Sequence, residues 1–312
     1  MPMKLYKKVG KLVLVLLVSM ASIPQIFSQQ TPVFSEYNYN PFILNSAYAG
    51  VTKNPEISLT NLGYFNQFEG SPKSFSLSGH GSLKGNKVGI GAGIIRDEIG
   101  VTSSTSFFAA YSYKIFFDFK SNRPYWQLYD TGVLSFGITA GVQQYQDNVT
   151  QLGIIGDPNF EEDISTTIPT IGLGFLFNHA SFYVGFSTAN ILGDSLAADD
   201  SLNLNRPFYG YFGYRVFNNR FQDIMIKPNV LLKKEKGVAL EADLNIAVSF
   251  RNKFEVGTGY RTNKSINILA GVYLWDNVRA IFNYNLATNN SPLGNAFGCI
   301  LSYQFGDGYS ID

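Results

Sequence analysis

The sequence predicts an all-β transmembrane barrel of about fourteen antiparallel strands, of the kind found in bacterial outer membranes. Three observations carry this. Apolar and polar residues alternate with period two in segment after segment, glycine is abundant while charge is scarce, and the longest connections fall on one parity of the strand count.

Taken in order along the chain, residues 1–28 have the layout of a cleaved secretory signal peptide. Lys4, Lys7, Lys8 and Lys11 precede an apolar run from Leu12 to Val18, then Pro24 and the small residue Ser28. That run is shorter than the ~20 residues a spanning helix needs, and no other stretch comes closer. Residues 29–54 are aromatic and rich in Asn and Pro without a period, which suits ordered packing on another surface: docking of a partner or plugging of a lumen. The candidate docking residues are Pro32, Phe34, Tyr37, Asn40, Pro41, Phe42, Asn45, Ala47, Tyr48 and Gly50.

Residues 55–306 carry the alternation. From Val238 to Arg251, Val238, Leu240, Ala242, Leu244, Ile246, Val248 and Phe250 share one face, while Glu241, Asp243, Asn245, Ser249 and Arg251 share the other. A helix would scatter those apolar residues around its axis. Phe75, Leu77 and Leu83 oppose Ser74, Ser76, Ser78, His80 and Ser82, and Leu134 to Val142 repeats the pattern against Ser135, Gly137, Thr139, Gly141 and Gln143. A soluble sandwich would bury its apolar face and cover the other with Lys and Glu. Here the second face is Gly, Ser, Thr and Asn, as a lumen lining would be, and its glycines suggest tight curvature. Strands are expected to begin near Glu56, Lys73, Lys87, Ser103, Asp130, Ile168, Ser181, Pro207, Gln222, Gly237, Lys253, Ser265, Val278 and Asn295. Even-numbered connections such as Lys84–Lys87, Arg251–Lys253 and Asp276–Asn277 are tight, while the longest, Gln146 to Thr167 and Ile191 to Arg206, are odd-numbered. Short periplasmic turns and long external loops produce that sorting; Asp118 to Tyr129 is the exception. Trp126 and Trp275 fall at strand ends, where aromatic girdles sit. Residues 307–312 form a tail.

Composition narrows the function. Hydrophobic residues make up 45% and aromatics 15%, beside 30 glycines and 15% charge. Cations number 24 against 23 acids, and loss of the four leader lysines leaves 20, so no basic stripe for nucleic acid is present. The single cysteine, Cys299, excludes an internal disulfide and shares a face with Phe297 and Leu301, as a small hydrophobe. Neither histidine belongs to a catalytic constellation: His80 reads as a solvated lumen residue and His179 as a turn residue. Gly89, Gly91 and Gly93 alternate with apolar residues inside a strand and form no phosphate loop. The acids Glu161, Glu162, Asp163 and Asp194, Asp199, Asp200 lack a calcium-loop pattern and read as solvated loop charge. No enzyme activity, cofactor, metal or small-molecule substrate is expected. One inward charge ladder is expected: folding about Glu235 puts Lys227 opposite Asp243, and folding about Asn252 brings Arg261 to the same Asp243, fixing register, with a ligand or plug contact as the alternative reading.

Several segments resemble the PorP/SprF family of outer-membrane proteins of the type IX secretion system. They are Thr31-Pro32-Val33-Phe34-Ser35-Glu36-Tyr37, Asn40-Pro41-Phe42, Asn45-Ser46-Ala47-Tyr48-Ala49-Gly50, Gly85 to Gly91, Gly156-Asp157-Pro158-Asn159-Phe160, Phe182-Tyr183-Val184-Gly185, Ile226 to Leu232 and Gly259-Tyr260-Arg261-Thr262. Where that family often carries a His-Glu pair this chain has Gly294-Asn295-Ala296-Phe297, so no role of the pair transfers. The resemblance implies an outer-membrane location and a non-enzymatic part in secretion: anchoring periplasmic machinery, or assisting export and surface attachment of cargo such as adhesins in gliding motility. It implies periplasmic ring or lipoprotein components and a secreted cargo or adhesin as partners, beside outer-membrane lipid. The competing expectation is a diffusion porin or hydrophobic-solute channel.

Overall fold

A computed structural model describes residues 37–52, 54–64, 70–83, 85–117, 132–154, 157, 161–192, 206–217, 223–235, 238–262, 265–288 and 294–309. The signal-peptide residues, Pro32, Phe34, Trp126, most of the connection after Asp118 and the acids from Asp194 to Asp200 lie outside them.

The strands are β1 (Glu56–Tyr64), β2 (Lys73–Ser82), β3 (Val88–Ile99), β4 (Thr102–Phe116), β5 (Val133–Asp147), β6 (Ile164–Asn178) and β7 (Phe182–Thr188). They continue as β8 (Phe208–Tyr214), β9 (Ile224–Lys234), β10 (Glu241–Phe250), β11 (Phe254–Arg261), β12 (Ser265–Leu274), β13 (Val278–Ala287) and β14 (Ala296–Gln304). Val216–Phe217 continue β8 on β9 in unchanged register, so the described residues hold fourteen strands. Each pairs antiparallel with its sequence neighbours, and β1 pairs with β14 from Glu56↔Gln304 to Tyr64↔Ala296, which closes the barrel. Closure leaves no sheet edge to satisfy, the requirement for a sheet in lipid.

Alternation sets the faces. On β10, Leu244, Ile246, Val248 and Phe250 are exposed on the outside, while Asp243, Ala247 and Ser249 are buried inside. Outward large hydrophobics recur around the wall, among them Ile57, Leu77, Phe107, Phe136, Leu173 and Phe282. They are exposed here because lipid, not protein, covers them.

Arg251 and Asn252, and then Trp275 and Asp276, have positive φ in succession. That left-handed pair matches the twist of the strands it joins. Two odd-numbered connections, 100–101 and 262–264, are as tight as the even ones, so the length rule sorts the long connections rather than the short. The start of β1 and the residues after β14 meet the same rim as the even turns: Phe305 N donates to Pro55 O at 2.9 Å, and Tyr309 N to Asp276 O at 2.6 Å. The wall is uneven, because β4, β5 and β6 have 15 residues each and β7 only 7.

Candidate functional site

The lumen is not open at the rim where β1 begins and β14 ends. Residues 37–52 run inside it as two short 3₁₀ turns, Pro41–Ile43 and Ser46–Tyr48. Asn precedes each: Pro41 supplies the preset φ of a first turn position, and Asn45 Oδ1 accepts from Ala47 N at 2.8 Å as a cap. The chain then turns out at Gly50, φ +62°, where a side chain would be strained.

The plug touches the wall on all sides, chiefly through polar groups. Tyr37 Oη donates to Asn229 Oδ1 at 2.8 Å and accepts from Asn245 Nδ2 at 3.0 Å. Asn40 Nδ2 donates to Ser78 Oγ at 3.1 Å, and Asn45 Nδ2 to Phe175 O at 2.9 Å and Tyr211 Oη at 2.6 Å. Ser112 Oγ donates to Ala49 O at 2.7 Å, and Lys114 Nζ donates to Gly50 O. Apolar contact is local: Phe42 sits against the His80 and Phe108 rings, and Ala47 joins a cluster with Leu176, Tyr209, Tyr211 and Leu231.

Wall glycines make room for this segment. A Cβ on Gly89 would overlap Ala49 O, and one on Gly174 would overlap Asn45 Oδ1; Gly91 and Gly137 stand in the same way against Phe42 and Ala47. The inward glycines therefore serve close backbone approach, and the curvature expected from them is not needed to explain these four. His80 differs likewise from its expectation. It is half-buried against the plug rather than freely solvated: it accepts from Gly50 N at 3.3 Å, tilts against Phe42 and keeps one side on the cavity beside the plug.

Of the candidate docking residues, Tyr37, Asn40, Phe42, Asn45 and Ala47 are all at most 3% exposed within the barrel. Pro41 and Tyr48 line a cavity beside the plug, and Gly50 marks its exit.

The charge ladder divides. Arg261 and Asp243 stand opposite in the β10–β11 register and pair through two bonds, Nε–Oδ1 at 2.6 Å and Nη2–Oδ2 at 2.7 Å. Lys227 does not reach Asp243. The β9–β10 hairpin is slipped by an even number of residues, so Lys227 lies opposite Ala247 and Asp243 opposite Leu231. An even slip keeps every side chain on its face and changes only its partner. With Ala247 and Gly257 beside it, Lys227 passes over both to Glu255 Oε1 at 2.5 Å.

Sequence reasoning missed Glu255 and Arg279, which hold the plug at the rim. Glu255 accepts from Tyr39 Oη and from Tyr273 Oη at 3.2 Å. Arg279 Nη2 donates to Tyr39 O at 2.5 Å and Glu56 Oε1 at 2.8 Å. Both lie on inward positions of their strands, so alternation marked them as lumen residues without naming a partner. Burial, then the Asp243 carboxylate, holds the Tyr37 phenol well above its ordinary range; burial and Glu255 do the same for Tyr39.

Among the described residues no group of three or more His, Cys, Asp or Glu side chains is placed to hold a metal. Asp163 instead ties its loop, accepting from Thr150 N at 3.0 Å and Thr150 Oγ1 at 2.8 Å.

No curated protein matches the sequence. Among solved structures, the chain is similar to the outer membrane protein Omp33 of Acinetobacter baumannii, at 10% identity and a TM-score of 0.47, with 82% of this chain and 100% of that one covered. It is similar also to a FadL homologue of Pseudomonas aeruginosa, at 10% identity and a TM-score of 0.45, covering 84% and 92%. Likeness this distant carries no argument about function, and the barrel stands on its own strand pairing. Residues 26–303 match the family described as Type IX secretion system membrane protein PorP/SprF. With that match spanning nearly the whole of a closed, lipid-facing barrel, the chain is an outer-membrane protein that belongs to the PorP/SprF family.

Proposed function

We propose that the protein is a non-catalytic accessory of type IX secretion, a sealed barrel that mounts or guides other components at the outer membrane. The family implies contact with secretion machinery and cargo. The finer reading is that it anchors periplasmic ring or lipoprotein components, or assists export and surface attachment of a cargo such as an adhesin. The observation that carries this reading over a diffusion porin is the plug: residues 37–52 occupy the lumen at one rim and are bonded to strands on every side. By the rule that both termini and the short turns of such barrels face the periplasm, that rim is the periplasmic one.

Deleting residues 29–54 separates the readings. The accessory role predicts that the intact protein conducts little in planar bilayers, and that cells carrying the deletion lose secretion of their cargo while the barrel still reaches the membrane. Steady open channels from the intact protein, with secretion unchanged by the deletion, would favour the porin.

A further inference from the structure

A concavity of about 750 Å³ lies on the outer face of the wall, across β2 to β5. Its floor is one register row: Gly79 faces Ala92, Ala92 faces Ala109 and Ala109 faces Ala140, all at outward positions. The rows on either side are tall. Leu77, Ile94, Phe107 and Val142 stand toward the external end, and Ile90, Tyr111 and Ile138 toward the rim where β1 begins. Four small residues between tall rows make an apolar groove set across the strands. It is backed on the lumen side by Phe108, against which the Phe42 ring of the plug packs.

Position and width select the occupant. The groove is continuous with the outward face that the closed wall presents to lipid, so acyl chains are what cover it. Its flanking rows are four residues apart along a strand, ~13 Å at ~3.3 Å per residue, and their own side chains fill part of that gap. A helix with its side chains needs ~10–12 Å and is too wide, whereas one hydrocarbon chain fits. The floor crosses three strand spacings, ~14 Å, about the depth of one leaflet of a ~30 Å hydrocarbon core. It also climbs. Gly79 lies three residues from the end of β2 at the periplasmic rim, and Ala140 lies seven from the start of β5. At a tilt near 45° those positions are roughly 7 and 16 Å above the rim, so the groove rises from near the interface to the midplane. Lipid and groove are equally apolar, so retention there depends on close packing. An extended saturated chain touches all four floor residues, while a cis double bond would lift it off the row.

We infer that this groove binds one saturated acyl chain of a phospholipid of the periplasmic leaflet, held as a retained lipid and not as part of the exchanging annulus. The inference needs only the barrel in its membrane, and does not depend on the proposed accessory role.

The test places the full-length protein in nanodiscs of dipalmitoyl- and dipalmitoleoyl-phosphatidylcholine in equal amounts, above the melting temperature of both. Native mass spectrometry after release into detergent should show about one phospholipid retained per barrel, the saturated species at least ~3-fold over the unsaturated. Ala109→Leu raises the floor with a side chain common on this face, and should remove both the retention and the preference. Ala270→Leu, at an outward position of β12 outside the groove, should change neither. Equal retention of the two lipids by the unaltered protein, or a retained lipid that survives Ala109→Leu, would overturn the inference. So would a dimer of the unaltered protein that Ala109→Leu dissociates, which would give the groove to a second copy. The lipid preference of the unaltered protein decides alone if a variant fails to insert.

Discussion

Asn45 and Tyr211 meet inside the lumen, side-chain amide to phenol at 2.6 Å, in space that Gly174 leaves open. Any side chain at position 174 would enter the volume of the Asn45 amide. Gly174→Val is therefore expected to expel the second plug turn while the wall, whose outward residues are untouched, still inserts. Overpacking of this kind costs about 1–3 kcal/mol. The expected readout is a barrel with normal heat-modifiable gel mobility, increased conductance and new protease cuts within residues 37–52. An unchanged conductance together with a protected plug would show that the glycine is not a socket.

The Lys227–Glu255 pair joins strands that are not neighbours, across Ala247. Lys227→Met leaves a carboxylate that is 0% exposed beside Tyr39 and Tyr273 without its cation. Removing one partner of a buried pair costs about 3–5 kcal/mol, toward the lower end here because Lys227 is partly solvated. The urea midpoint in detergent should fall, and Glu255→Gln in the same chain should recover much of the loss. Arg261→Met should act independently of Lys227→Met, because Arg261 pairs with Asp243; strong coupling between those two variants would restore the shared ladder.

The plug should loosen in alkali. Tyr37, Tyr39 and Tyr48 have phenols raised above their ordinary value, chiefly by burial. A released segment ionises as pH passes about 10, whereas the docked phenols stay protonated. Their contribution to docking is thus complete below about pH 10 and is lost steadily as pH rises above it. Tyrosinate absorbance should show plug phenols titrating late and together with release of the segment. Replacing all three with Phe should flatten the pH dependence of release; if it does not, some other group controls it.

The two faces of the wall should respond differently to charge. Leu244 points outward and is 53% exposed to what would be acyl chains. Leu244→Arg should destabilise the inserted barrel by about 2–4 kcal/mol if that position lies near the bilayer midplane. Gln143→Arg, on the lumen face, should cost much less. Folding titrations into lipid vesicles compare the two, and equal penalties would mean that the outer face is not in lipid.

Much of the barrel was legible because lipid imposes a pattern. Twelve of the fourteen expected starts lie within three residues of those observed, and the observed starts at Val88, Thr102 and Val278 fall on or beside those expected. The β6 start shows the limit. It lies at Ile164 and not Ile168, because Ser165, Thr166 and Thr167 extend the strand with polar residues that no apolar pattern marks. The Lys227 partner was hidden for a related reason: an even slip leaves the alternation unchanged, so faces can be read from it while partners cannot. The plug has no period to read. Its signal lay in the wall, where Gly89, Gly91, Gly137 and Gly174 take inward positions on three strands and imply something that comes close to the backbone.

The unevenness of the wall has a consequence for the surrounding membrane. At ~3.3 Å per residue and a tilt near 45°, seven residues rise only about 16 Å, well short of the ~25 Å apolar band of such barrels. On the side of β7 the acyl chains must shorten or the whole cylinder must lean to hide its taller flank. Lipids of longer chain should therefore decrease its inclination to the bilayer normal, a quantity oriented infrared dichroism reads directly.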